Sequence, residues 1–394
     1  MNQVGIVDWG LGIGPIPKSP IPNPQSPIPF IYIKEKKIEL KKFISIRYAD
    51  PITSLELNDT FLCFGSMLGL CEYYIINSNK LVKLSDTQDE FISGIKIRKN
   101  NLYICIGDLK IMKYQLDPEN TNQNSITEKD EINNYKEDQT HQSNCENCLT
   151  IFCNNYLIRN LITFPSKPDD EPIEKDVKFY IKNILHESEE NDFVGNYQLS
   201  NYCVPFDFDG KNYVIIDFKE KHKRIFFVYD VILKEMKINI EIETIKENPI
   251  DHISHLKIIK NDMIFIVQKY NICQIRKFNL ELVKTLNIKS SEILAFDMLY
   301  ENQENLMEYS NERNVNESDI KSIVVLDIDC NIILYDYKED KSEILFNLEK
   351  DELGIDNDIK EQRFFVFGYP YYIRISEDYI AVTTDYGCIL VKYN

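Results

Sequence analysis

The densest set of metal-ligand residue types in the chain is His141-x3-Cys145-x2-Cys148-x4-Cys153. A Cys-x2-Cys pair can wrap one zinc ion, and two further ligands complete a tetrahedron. Cys153, however, closes the apolar run Ile151-Phe152-Cys153, which reads as a strand with its thiol turned toward a core. That leaves His141, Cys145 and Cys148 as the candidate ligands, one short of a structural zinc site. The plainer reading is two exposed thiols on a loop and one buried thiol. No metal and no other cofactor is expected.

Other groupings also dissolve on inspection. Asp207-Phe208-Asp209-Gly210-Lys211-Asn212 has the start of a calcium loop but lacks the distal glutamate. Asp209-Gly210 between two apolar triplets is better read as a hairpin turn. Asp327 and Asp329 alternate, so both would project from one strand face, and paired carboxylates can serve glycoside hydrolysis. A solvated face or a turn contact explains them as well. His252 and His255 flank a strand start, with no nucleophile on a strained elbow to partner them. The glycines between Gly5 and Gly14 are followed by proline instead of a helix, which removes the dinucleotide-binding reading. No catalytic residue is therefore expected.

The elements that would carry such residues are strands. Residues 1–29 stand apart, with seven of the fifteen prolines, and read as a disordered or polyproline-II tail. Pro17-x-x-Pro20 and Pro24-x-x-Pro27 have the spacing of groove-binding ligands, although a passive tail fits better. From Phe30 onward a pattern recurs: an apolar-x-apolar triplet, a turn with Asn or Asp, then a second strand. Leu55-Glu56-Leu57 leads through Asn58-Asp59 to Phe61-Leu62-Cys63. Ile95-Lys96-Ile97, Leu256-Lys257-Ile258 and Ile373-Arg374-Ile375 begin three more copies. Alternation broken by such turns marks a β-hairpin.

The next segment repeats too. Phe64-Gly65-Ser66-Met67-Leu68-Gly69 runs into Cys71, and Val382-Thr383-Thr384-Asp385-Tyr386-Gly387 runs into Cys388. Gly65, Gly69, Asp385 and Gly387 are the expected structural turn residues. A third copy runs from Val325 to Tyr335, with Asn331 at the glycine place. These units resemble the blades of the WD40-type β-propeller superfamily. The chain has no Trp-Asp or Gly-His pair in the repeats, and its one tryptophan, Trp9, lies in the tail.

The resemblance implies an all-β fold: a single propeller over residues 30–394 with about seven blades. The units fall near 51–86, 91–116, 148–184, 198–246, 252–288, 292–349 and 364–393. Polar inserts separate them, chiefly near 117–147 and 299–320. The last unit supplies three strands, so Phe30 to Lys34 or Ile38 to Ile46 is expected to add a fourth and close the ring.

Composition agrees with strands: 43% apolar and 12% aromatic residues, many of them β-branched or ring-bearing. A formal charge of −18 opposes nucleic-acid phosphates and anionic membranes, while permitting protein partners with basic surfaces. No secretory signal and no membrane-length apolar run is visible. Ten scattered cysteines, mostly in apolar stretches, suit a reducing compartment, cytoplasmic or nuclear. The functional expectation is a non-catalytic interaction scaffold, a monomeric propeller within a multi-protein complex. The competing expectation is a propeller hydrolase or lyase with carboxylates at the central channel.

Overall fold

The computed structural model describes residues 30–33, 36–44, 52–86, 91–98, 100–106, 110–116, 118, 130–132, 147–153, 156–162, 176–183, 192–198, 206–209, 211–220, 223–230, 233, 235–243, 253–259, 262–301, 319–348, 372–384 and 387–393. Among these residues the elements are β-strands throughout. The tail 1–29 and most of the two expected inserts, including 119–129 and 302–318, lie outside the described residues.

The strands form six four-stranded sheets and one five-stranded sheet, all antiparallel. The first sheet is β3 (Ile52–Leu57), β4 (Phe61–Ser66), β5 (Leu70–Ile75) and β6 (Lys80–Asp86). The second is β7 (Ile92–Arg98), β8 (Asn101–Ile106), β9 (Lys110–Gln115) and β10 (Asp130–Ile132), so the 117–147 stretch contributes a strand. The third is β11 (Asn147–Cys153), β12 (Tyr156–Ile162), β13 (Asp176–Asn183) and β14 (Asp192–Gln198), ending beyond the unit boundary read from sequence. The fourth is β15 (Phe206–Phe208), β16 (Asn212–Glu220), β17 (Lys223–Asp230) and β18 (Glu235–Glu243). The fifth is β19 (Ile253–Ile259), β20 (Met263–Gln268), β21 (Ile272–Lys277) and β22 (Leu282–Thr285). The sixth is β23 (Ile293–Tyr300), β24 (Ile320–Asp327), β25 (Asn331–Asp336) and β26 (Lys341–Asn347).

The five-stranded sheet joins the two ends of the chain. Its order is β1 (Phe30–Ile33), β2 (Lys36–Ile44), β29 (Gly387–Lys392), β28 (Tyr379–Thr384) and β27 (Ile373–Ile375). β2 runs antiparallel to β29 from Glu39 opposite Lys392 to Ile44 opposite Gly387. β1 adds a further strand outside β2.

Period two explains how these sheets stack. All six residues of β4 are buried. Phe61 and Cys63 enter one core with the second sheet, while Leu62 and Phe64 enter another with β28 and β29. β24 divides likewise: Ile323 and Val325 pack toward the fifth sheet, Val324 and Leu326 toward the five-stranded one. A sheet covered on both faces needs apolar residues at successive positions, which is why these second strands read as unbroken apolar runs. Each fully buried Ile, Leu or Phe contributes about 1.5–3 kcal/mol by leaving water.

Neighbouring sheets meet along their first strands. β27 packs on β3, β3 on β7, β7 on β11, β15 on β19, and β23 on β27. This arrangement of stacked antiparallel sheets is compatible with a β-propeller.

The turns use left-handed residues where sequence reading expected glycine or asparagine. Gly69 has φ 85° and sits in the β4–β5 turn. The matching residue of the β24–β25 turn is Cys330, φ 63°, and Asn331 already begins β25, so the glycine place is one residue earlier than expected. Asn79, Leu280 and Asp340 hold φ of 54°, 68° and 52° in three equivalent turns before the fourth strand. Tyr74 fixes the first by donating its hydroxyl to Asn79 at 2.7 Å, and Tyr335 does the same for Asp340.

Candidate functional site

The first strands carry one shared motif. In β3, β7, β19 and β23 the register slips by one residue just after an isoleucine: Ile52, Ile92, Ile253 and Ile293. Such a bulge bends the strand and re-aims the side chains beyond it. Thr53, Ser93 and Ser254 occupy the slipped position and hydrogen-bond through their hydroxyls to carbonyls of Gly65, Cys105 and Val267. Four residues after each isoleucine stands a charged residue: Glu56, Lys96, Lys257 and Asp297.

These charges form a belt across the first strands. Lys96 of the second sheet pairs with Glu56 of the first. Arg374 of β27 reaches the other Glu56 oxygen at 3.4 Å. Asp297 of the sixth sheet pairs with Lys257 of the fifth at 3.1 Å, and accepts the Ile375 N–H of β27 at 3.2 Å. Asp207 of β15 accepts the Ile258 N–H of β19 at 2.7 Å. From the second sheet back to the fourth, the signs therefore run Lys96, Glu56, Arg374, Asp297, Lys257, Asp207, alternating throughout. β11, the first strand of the third sheet, reads Asn147-Cys148-Leu149-Thr150-Ile151-Phe152-Cys153 and contains no charge.

The electrostatics follow from partial burial. Desolvation alone would raise the Asp297 carboxyl, but Lys257, Arg374 and the Ile375 N–H outweigh it and hold it below its ordinary value. Burial would lower Arg374, yet Asp297, Glu56 and Tyr372 raise it above the usual guanidinium value. Each carboxylate of the belt is already held by a cation or a main-chain N–H, so the arrangement acts as a clamp between sheets. His255, beside the belt, contacts the Leu294 carbonyl at 3.1 Å and the Ser254 hydroxyl at 2.9 Å. Burial pushes its imidazole below its ordinary value despite the raising effect of that carbonyl.

The residues singled out from sequence fall elsewhere. His141 and Cys145 lie outside the described residues, while Cys148 lies in β11 opposite Leu161, in a strand instead of the expected loop. Among the described residues no group of three or more His, Cys, Asp or Glu could hold a metal ion. Asp209 accepts the N–H groups of Lys211 and Asn212 at 2.8 and 2.6 Å, as a hairpin turn requires. Asp327 and Asp329 do not share a strand face: Asp327 ends β24 and Asp329 is in the turn beyond. Buried Asp327 accepts Asn331 N–H at 2.9 Å, which is a turn contact.

Among the four turn positions, Gly65 lies within β4, opposite Cys71, instead of in a turn. A Cβ there would meet Ile92 Cγ2 at 2.4 Å and Ser54 Oγ at 2.8 Å, so the glycine permits close approach of the first and second sheets. Asp385 lies outside the described residues. Gly387 opens β29 and pairs with Thr384 of β28.

The belt itself was missed because the central residue of each apolar-x-apolar triplet looked like a solvent-facing strand position. Isoleucine four residues before a charge, repeated in four copies, was the available signal.

A second feature lies at one end of the sheets. The β3–β4 and β27–β28 turns touch at one end, where Asp59 accepts the Glu377 N–H at 3.1 Å. At the opposite end Met67, Leu68, Phe91, Tyr270 and Ile272 are exposed. Lys269 and Tyr270 both have positive φ, a type I′-like turn that holds the tyrosine ring outward. The Tyr270 carbonyl accepts the Ile293 N–H at 2.6 Å, tying this turn to the sixth sheet.

No protein-family model and no curated protein matches the sequence. Among solved structures, a chain from the crystal structure of the mitotic checkpoint complex matches at TM-score 0.52 and 10% identity, covering 100% of both chains. The computationally designed Ika8 protein matches at TM-score 0.49 and 10% identity, covering 89% of this chain and 98% of its own. The likeness to the checkpoint-complex chain is one of fold alone. Together with the antiparallel sheets it is consistent with a β-propeller fold.

Proposed function

We propose that the chain is a non-catalytic protein-interaction scaffold: a single WD40-like propeller of about seven blades, closed where β2 pairs with β29. The observation that carries this reading is the contrast between a charge belt engaged within the sheets and an apolar end. The belt charges are consumed in holding first strands together, while Met67, Leu68, Phe91, Tyr270 and Ile272 present exposed apolar side chains at turns or strand starts of a rigid frame. Loops on rigid scaffolds are the usual carriers of recognition, and exposed aromatic and Met side chains suit protein contacts. That a chain of like fold belongs to a multi-protein complex supports the same class of role.

Partners with basic surfaces fit the net charge of −18, and buried thiols outside disulfides fit a cytoplasmic or nuclear setting. The hydrolase or lyase alternative rests on carboxylates from different blades meeting at the centre. Glu56, Asp207 and Asp297 do come from different sheets, but their engagement with cations and main-chain N–H groups favours a clamp over acid–base work.

The test is affinity purification of the tagged chain from its native cell, with crosslinking and mass spectrometry. Near-stoichiometric proteins crosslinked near Met67, Phe91 or Tyr270, and lost on Leu68→Asp with Tyr270→Ser, are expected. A chain that captures nothing, or whose partners ignore these substitutions, would overturn the assignment of this end.

A further inference from the structure

We propose that Glu72 is a proton-sensitive latch on the seam between the first sheet and the five-stranded sheet that joins the chain's two ends. Glu72 is the third residue of β5, where it is 1% exposed and neither carboxyl oxygen has a hydrogen-bond partner. Its cross-strand neighbours are Phe64 on β4 and Lys83 on β6. Phe64 and Tyr74 belong to the core shared with Ala381, Cys388 and Leu390 of the five-stranded sheet. The carboxyl therefore sits on an apolar seam one strand away from the β2–β29 junction.

An unpaired carboxylate in such surroundings is costly when ionised and tolerated when neutral. The titratable and charged groups facing it among the described residues are few. Lys83 is on the neighbouring strand, and Cys388 faces it from β29; Cys71 adjoins it on β5. Burial pushes the carboxyl up from 4.5 to about 7, against a weaker lowering by Lys83. The thiols offer no compensation, since burial raises Cys388 and Cys71 as well.

Linkage sets the sign. A carboxyl that holds its proton more tightly in the closed state contributes stability below its unfolded value, and that stability is lost as pH rises to the folded one. The window is about pH 4.5 to 7, with no further change above. Over that window the seam's opening equilibrium should increase by up to tenfold per pH unit, roughly 300-fold in all. Acidification closes the seam and neutral to alkaline conditions loosen it.

The experiment is hydrogen exchange by mass spectrometry on the full chain between pH 4.5 and 8, corrected for intrinsic exchange, with segments β5, β28 and β29 followed. Glu72→Gln removes the titration, and Glu72→Leu fills the site with an apolar group of similar size. In the native chain, opening of these segments is expected to rise with pH and level off above about 7, while both variants lack this component. Glu72→Leu should also exchange more slowly than the native chain at pH 8 and about equally at pH 4.5, so one well-folded variant suffices. A native response no steeper than that of the variant overturns the latch.

Discussion

Arg374 and Glu56, 318 positions apart in sequence, meet at 3.4 Å and join the first strand of the five-stranded sheet to that of the first. Glu56 also receives Lys96, so one carboxylate serves two sheets on either side of its own. Replacing Arg374 with Met should cost about 1–3 kcal/mol, because it leaves two partly buried carboxylates short of a cation. In a Glu56→Gln background the same replacement should cost measurably less. A double-mutant cycle by chemical denaturation checks this, and strict additivity would contradict the coupling.

Asp297 gives the belt an acid limit. Its carboxyl is held below an ordinary value of 3.8, so its contribution is present above that value and lost as pH falls through the lower folded one. The stability gap between the native chain and Asp297→Asn should hold from about pH 6 down to 4 and shrink below it. Denaturation curves at several pH values measure the gap. A gap independent of pH would mean that Asp297 is not ion-paired.

Gly65→Ala tests the contact between the first two sheets. The added methyl would fall 2.4 Å from Ile92 Cγ2 and 2.7 Å from Ile92 Cβ, on a β-branched residue that cannot swing away. A loss of about 1–3 kcal/mol is expected, from overpacking and not from turn strain. Gly69→Ala acts differently: φ of 85° is disfavoured for any Cβ, and about 1–2 kcal/mol should be lost through the backbone alone. Thermal and chemical unfolding of both variants, with no change in fold, would bear this out.

Six of the ten cysteines, Cys63, Cys71, Cys105, Cys273, Cys330 and Cys388, are buried thiols outside any disulfide. Burial raises the Cys273 thiol to about 12, far from thiolate at neutral pH. Under native conditions at pH 7.5 an alkylating reagent should modify none of Cys63, Cys105, Cys273 and Cys330, which lie away from the Glu72 seam, whereas all six should react in denaturant. Peptide mapping distinguishes the two states, and native labelling at Cys63 or Cys273 would show that the sheets part readily.

Much of the strand content was readable because period two is a local property. The triplets Leu55-Glu56-Leu57, Leu256-Lys257-Ile258 and Ile373-Arg374-Ile375 announced their strands and hairpins, since each turn is fixed by residues a few positions apart. The N-terminal contribution to the last sheet came from counting three strands where the others have four. What sequence could not assign was partnership. Glu56 and Lys96 each look like a solvated position in their own strand. Only the stacking of one sheet on the next, with bulges at Ile52 and Ile92, brings them into contact. Gly65 read as a turn because glycine commonly marks one; its reason is Ile92 on another sheet. Glu72, a charge between Cys71 and Tyr73, has the pattern of an outward-facing position on a one-sided sheet. Covering both faces leaves no outward side, and the carboxyl is buried with whatever the neighbouring sheet supplies. Sequence by itself determined most of the strands and hairpins, but not β10, β14 or the place of Gly65 within β4. Tertiary structure decided which faces are covered, and with that which charges are paired, crowded or stranded.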